Sequence, residues 1–168
     1  MPKLHLDDAC ELAVVSVGAL SGPRKGALLF IKTEGYGSLK ALAIRISRLL
    51  GKQEPAPIYL VQGTMLGEQG RPFSKIKKAA TVRLLADGQI VTETGGLIFP
   101  QDRPIVLVIE AFECLSHNDQ RAYAHLVDGE GGQYGLYEGS VLIAGLNSAN
   151  PEAVEPGALN RGIYLELE

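Results

Sequence analysis

The sequence contains no tryptophan, and only two cysteines and two methionines occur among its 168 residues. Cys10 and Cys114 lie far apart without C-x-x-C spacing, which argues against a disulfide scaffold and against a zinc site of cysteines. The formal charge is −3, so the chain has no excess of basic residues, which nucleic-acid-binding domains typically have. No apolar run approaches the length of a membrane span, and the acidic N-terminal stretch does not resemble a signal peptide. These absences predict a cytoplasmic protein.

The remaining composition is that of an ordinary globular protein, with 46% hydrophobic and 21% charged residues. The length fits one domain, 1–168, in which residues 1–26 form an N-terminal lead-in. His5, His117 and His125 are far apart and fit no metal-ligand spacing, so we expect no metal site.

The stretch Ala27–Gly51 has the clearest local pattern. Its five leading apolar residues predict a buried strand, and a short loop with Gly35 and Gly37 follows. Leucine and isoleucine then recur at helical spacing until Gly51, a residue type that commonly follows a helix. A strand, a glycine loop and a helix in this order form the setting in which backbone N–H groups bind phosphate.

The loop departs from the phosphate-binding pattern G-x-x-x-x-G-K-[ST]. With Gly37 as the second glycine, Lys32 stands at the first glycine, Ser38 at the lysine and Leu39 at the hydroxyl position. The loop therefore lacks the lysine that holds terminal phosphates and the oxygen that magnesium requires. The two glycines either cradle an anion without these groups or serve a tight strand-to-helix turn.

Four further apolar runs predict strands, and these are Ile58–Val61, Pro104–Ile109, Ser140–Leu146 and Gly162–Leu167. Helices are predicted from Lys75 to Ala86, and from a cap at Ser116 or Asn118 to about Val127. Asp87-Gly88 either ends the first of these helices or turns a hairpin. The alternation predicts an α/β fold, a three-layer sandwich with a mostly parallel five-stranded sheet.

Three stretches place polar residues beyond the ends of these strands. PIVLVIEAFECLS leads into Glu110 and Ala111, and VLIAGLNSANPEAVEPGALNRG runs through Asn147 to Arg161. The predicted helix DQRAYAHLVDG lies between them. In this order, and together with the glycine loop, these stretches resemble the core of the AAA+ ATPases, the P-loop family of ring-forming motors.

The resemblance implies a role for each of these positions. The first nucleotide-binding motif would comprise Gly35, Gly37, Ser38 and Leu39. Glu110 stands at the aspartate of the second motif, Ala111 at its catalytic glutamate and Asn147 at the sensor position. Arg161 stands where the family has an arginine that reaches the nucleotide of a neighbouring subunit. The helical lid that follows the core in the family is expected to be absent.

The resemblance also implies a P-loop NTPase-like fold in which the Ala27 strand lies between the Ser140 and Gly162 strands. Ser38, Leu39 and Ala111 replace the lysine, the hydroxyl and the catalytic glutamate, so we expect no ATP hydrolysis. The sequence then predicts a pseudo-ATPase with no cofactor. ATP and ADP are the ligands that the resemblance would allow, but neither is expected to bind. Such a domain would act as a protein-binding, assembly or regulatory subunit, and its partner would be a second copy or an active AAA+ ATPase.

Two other functions remain open. The chain would be a nucleotide-binding protein or NTPase with an atypical phosphate loop if Lys32 or Lys40 replaced the missing lysine. It would be a small α/β scaffold unrelated to AAA+ if its strand order differed from that of the family. The basic residues Lys75, Lys77 and Lys78 are typical of a solvated helix face, and a nucleic-acid partner ranks last.

Overall fold

A computed structural model of the chain describes residues 3–18, 26–33, 36–51, 53–62, 81–85, 87–93, 100, 102–128, 136–147 and 153–167. Its strands are β1 (Lys3–Leu4), β2 (Gly26–Lys32), β3 (Ile58–Gln62), β4 (Thr81–Leu84), β5 (Ile90–Glu93), β6 (Val106–Glu110), β7 (Ser140–Leu146) and β8 (Ile163–Leu167). Its helices are α1 (Leu6–Gly18), α2 (Tyr36–Leu50), α3 (His117–His125) and α4 (Pro156–Leu159). The predicted α/β class is confirmed.

One mixed eight-stranded sheet joins all the strands in the order β1-β8-β2-β7-β6-β3-β4-β5. The strands from β1 to β3 in this order are parallel, whereas β4 and β5 are antiparallel to their neighbours. In the centre, β2 pairs with β7 on one side and with β8 on the other. The predicted place of the Ala27 strand, between the Ser140 and Gly162 strands, is therefore confirmed.

Helices cover both faces of the sheet, which explains why its central strands are apolar along their whole length. On one face, α1 and α2 pack against Leu29, Ile31 and Ile143. On the other, α3 and α4 pack against Phe30, Leu107 and neighbouring residues. Every residue of β7 is buried, so no position of that strand is left for a polar side chain facing water.

Local sequence signals set the starts of the helices that follow β6 and β7. The Ser116 hydroxyl accepts a hydrogen bond from the Asp119 N–H at 3.1 Å and caps α3. The Glu155 carboxylate accepts from the Ala158 N–H at 2.8 Å, and Pro156 occupies the first position of α4. Of the two caps proposed for α3, the structure uses Ser116.

The sheet is wider than the five strands predicted from the sequence. Thr81–Leu84 is a strand and not part of a helix, because Val82 pairs with Leu60 of β3. Residues 75–80 and Ala86 of the predicted helix lie outside the described residues. Gly88, at a φ of 93°, turns the chain between β4 and β5, so Asp87-Gly88 forms the hairpin that was the second alternative. In the lead-in, β1 extends the sheet beside β8 and α1 contributes to the core.

Among the described residues, no helix has both the length and the apolar character needed to cross a membrane.

Phe30 is the central side chain of the core beneath α3 and α4. It has no exposed surface, and its ring meets that of Phe112 edge to face at a centroid distance of 5.6 Å. We expect Phe30→Ala to lower the free energy of unfolding by about 3–5 kcal/mol, because it removes this contact and leaves a cavity. Urea unfolding followed by circular dichroism measures the change.

A matched truncation on the surface is Val15→Ala, since Val15 of α1 is 65% exposed. Its effect is expected to stay within about 0.5 kcal/mol. Equal losses in both variants would contradict the assignment of Phe30 to the core.

Candidate functional site

The crevice between β2 and β7 at their carboxyl ends is the candidate site. The chain leaves β2 towards α2 on one face of the sheet, and it leaves β7 towards α4 on the other. Adjacent parallel strands with diverging connections open a crevice at this edge, and ligands of open α/β sheets bind in such crevices. Lys32 and Leu146 are paired at the two strand ends, and Asn147 comes next.

The described part of the first predicted motif lies at the start of α2. Gly37, Ser38 and Leu39 are in its first turn, whereas Gly35 lies outside the described residues. Leu39 is 3% exposed and belongs to the core beneath the helix. A methyl group added to Gly145 of β7 would lie 2.5 Å from Leu39 Cδ1, so helix and strand touch closely at this point. The position predicted for a magnesium-binding hydroxyl is thus an apolar contact.

The second predicted motif ends β6 and turns inward. Glu110 is the last residue of β6, paired with Gln62 of β3, and its side chain is half-buried. Ala111 follows with φ 53° and ψ 49°, in the left-handed region, and is 2% exposed. This conformation costs an alanine on the order of 1 kcal/mol. It directs the chain into the short 3-10 turn Phe112–Cys114, and the position predicted for a catalytic glutamate faces protein and not the crevice.

Glu113, in that 3-10 turn after β6, binds the backbone just after β7, and sequence reasoning did not identify it. Its Oε1 accepts the backbone N–H of Asn147 at 3.0 Å. Its Oε2 is buried without a hydrogen-bond partner among the described residues, as is the hydroxyl of Tyr164 in β8. Burial raises the pKa of Tyr164, and the charges of Glu166 and Glu113 raise it further. No local pattern in the sequence marks Glu113, because its partner Asn147 lies 34 residues further along the chain.

The sensor position and the arginine have separate partners. Asn147 is exposed, and its backbone is held by Glu113. Arg161 follows α4 and is half-buried, and its Nη1 donates to the carbonyl of Gly157 at 2.7 Å. The Nη1 of Arg161 thus binds a carbonyl of α4, the helix that precedes it. Basic side chains near the C-terminus of a helix commonly bind its last carbonyls in this way.

Gln120 ties α3 to the segment that carries Arg161. Its amide Nε2 donates to the carbonyls of Leu115 at 3.1 Å and Ala153 at 3.2 Å. Its Oε1 accepts the N–H of Glu155 at 2.7 Å, and the residue has no exposed surface. Gln120 belongs to the predicted helix DQRAYAHLVDG, and its role in the structure is to position the connection between β7 and β8.

The site as described offers few groups for chemistry on a ligand. No group of three or more His, Cys, Asp or Glu side chains within the described ranges is arranged to hold a metal ion. Lys32 is the basic residue at the strand end itself, and Lys40 is half-buried in α2. The carboxylates of Glu113 and Glu155 accept hydrogen bonds from the backbone.

Comparison with known proteins adds no family: no protein-family profile matches the chain, and no curated protein matches it.

Replacement of the carboxylate of Glu113 tests the network at the strand ends. Glu113→Gln removes a negative charge that raises the pKa of Tyr164, so that pKa is expected to fall. It should remain above the ordinary tyrosine value, because burial and Glu166 still act. Titration of Cζ-labelled tyrosine by NMR measures the shift.

Glu11→Gln, on the exposed side of α1, is the matched control and should leave the pKa of Tyr164 unchanged. An unchanged Tyr164 pKa in Glu113→Gln would contradict the proximity of the two groups.

Proposed function

We propose that this chain is a non-catalytic, AAA+-like domain with a P-loop NTPase-like core, and that it acts through protein contacts as a binding, assembly or regulatory subunit. The central observation in support is that buried apolar residues occupy two positions of the candidate site that ATP hydrolysis would need for polar groups. Leu39 and Ala111 are 3% and 2% exposed, at the positions where hydrolysis would need a magnesium ligand and a general base.

The order of the strands supports the same proposal. Of the two rival explanations, the unrelated scaffold would have a strand order different from that of the family. The strand of the first motif lies between the sensor strand and the last strand, as the resemblance implies. This strand order supports a P-loop NTPase-like core, in which Leu39 of the helix contacts Gly145 of the sheet.

Polar groups near the site also have structural tasks that suit a binding domain. Glu113, Gln120 and Glu155 bind backbone groups of the connections after β6 and β7. Buried polar side chains with several hydrogen bonds hold loops in one conformation. A surface built from such loops is rigid enough to present to a protein partner.

The alternative, nucleotide binding through an atypical loop, draws support from Lys32. This cation stands at the end of β2, in the crevice where a phosphate would lie. One cation at the strand end favours an anion, but it supplies neither an oxygen for magnesium nor a base for water.

Calorimetry with ATP and ADP, with and without magnesium, tests the proposal. We expect no heat of binding at millimolar nucleotide, which corresponds to less than about 4 kcal/mol of binding free energy. Micromolar, magnesium-dependent binding that is lost in Lys32→Ala would overturn the proposal in favour of the alternative. Measured turnover of ATP would do the same.

Restoring the glutamate at position 111 is not expected to restore hydrolysis. Ala111→Glu places a charge at a buried position with φ 53°, so the free energy of unfolding should fall by at least about 2 kcal/mol. Ala111→Gly is the matched control, because glycine adopts this φ freely and should change stability by less than about 1 kcal/mol. Thermal unfolding and a phosphate-release assay follow both variants, and a stable, hydrolysing Ala111→Glu would refute this prediction.

A further inference from the structure

The sheet edge opposite the candidate site carries an open cavity of about 580 Å³. We call it the amino-edge groove, because its walls come from the end of α2 and from segments that immediately precede β3, β6 and β7. The residues that matter for its chemistry are Leu50, Glu54, Asp102, Arg103, Tyr137 and Glu138.

The charges of the amino-edge groove favour a cationic occupant. The described residues that line it include three carboxylates and one cation, Arg103. The Nη1 of Arg103 lies 3.0 Å from Glu54, and its Nε lies 3.3 Å from Asp102. The hydrogen bond from Arg103 lowers the pKa of Asp102, which keeps this carboxylate ionised at neutral pH. Glu138 is exposed and forms no ion pair with any described residue. The C-terminal carbonyls of α2 add partial negative charge.

The groove also offers apolar surface to a long cationic side chain. Tyr137 is 38% exposed, and its ring is a surface on which an ammonium or guanidinium group can rest. Leu50, Pro55 and Pro104 line the same cavity. Lysine and arginine bury their aliphatic stems against such surfaces while the charged head reaches carboxylates.

The chain itself contains a segment of matching chemistry. Residues 71–78, RPFSKIKK, carry four basic side chains with Phe73 and Ile76 between them. They belong to 63–80, which connect β3 to β4 and lie outside the described residues. β3 ends at Gln62 opposite Glu110, and β4 begins beside that end, so both attachment points of 63–80 lie at the carboxyl edge. The acidic groove and the two points where 63–80 join the described strands therefore lie at opposite edges of the sheet.

We propose that the amino-edge groove of one copy of this chain binds the basic segment 71–78 of a second copy. This inference rests on the proposed function, since it names the protein partner that a binding domain requires. The contact joins two different surfaces, so each copy keeps one groove or one segment unused, and copies add head to tail. Opposite charges on the two surfaces provide orientation and specificity.

Sedimentation velocity of the purified chain tests the association. We expect the mean mass to rise with protein concentration and to pass that of a dimer, because a head-to-tail contact does not close after two copies. Raising the salt from low to well above physiological concentration should weaken the association about tenfold, since exposed charges are screened. A monomer at every concentration and at low salt would overturn the inference.

Two charge-reversed variants identify the surfaces. Glu54→Lys with Glu138→Lys disables the groove, and Lys75→Glu with Lys77→Glu and Lys78→Glu disables the segment. Each variant alone should be monomeric. An equimolar mixture should form a dimer that does not grow, because one intact groove then meets one intact segment.

Glu11→Lys makes one such charge reversal on the exposed side of α1 and should assemble as the wild type does. Circular dichroism confirms the fold of each variant, and Glu138→Gln, which only removes a charge, should weaken association without abolishing it. A mixture of folded variants that stays monomeric would overturn the inference, and the groove would then hold the chain's own segment or another protein. An equal loss in Glu11→Lys would overturn it too.

The association experiments and the nucleotide calorimetry test different proposals, and failure of one can be distinguished from failure of the other. A monomeric chain that ignores ATP overturns the self-association and leaves the non-catalytic assignment intact. A chain that assembles and also binds ATP at micromolar strength supports the self-association and overturns the non-catalytic assignment.

Discussion

The close contact between α2 and β7 is the constraint on which the candidate site depends. Gly145 has no side chain, so Leu39 can rest directly on the strand, and the first turn of α2 reaches the sheet at the carboxyl end of β2. A larger residue at 145 would require the end of the Leu39 side chain to shift. The same contact uses the position at which a nucleotide-hydrolysing loop would need an oxygen for magnesium. Packing of the helix on the sheet and the apolar character of this position thus follow from one pair of residues.

Around this contact, polar side chains hold the connections instead of facing a substrate. Glu113 fixes the start of the segment after β7, and Gln120 fixes its later part against α3. Both bind backbone groups of this segment, Glu113 through its Oε1 and Gln120 through its side-chain amide, and these bonds stabilise chain that has little apolar surface of its own. The carboxyl edge is consequently an ordered surface in its described part. Such order is compatible with a partner that recognises shape as well as charge.

The two edges of the sheet differ in chemistry. Lys32 ends the central strand at the carboxyl edge, while carboxylates surround the groove at the amino edge. Parallel strands produce this separation, because all their connections leave from one edge and return at the other. The groove consists of the returning connections, which have no part in the candidate site.

Much of the fold follows from local sequence patterns. The apolar runs from Ala27, Pro104 and Ser140 indicate buried parallel strands, since only strands covered on both faces are apolar throughout. Ser116 and Gly51 mark helix ends through capping chemistry that acts over a few residues. Thr81–Leu84 was predicted as a helix because its apolar residues also fit a helical period, and only pairing with β3 decides for a strand. The inward turn at Ala111, the bond from Glu113 to Asn147 and the contact of Leu39 with Gly145 were decided by tertiary structure. They join residues that are distant in the chain, and strand order and register, which depend on the packing of the whole sheet, bring those residues together.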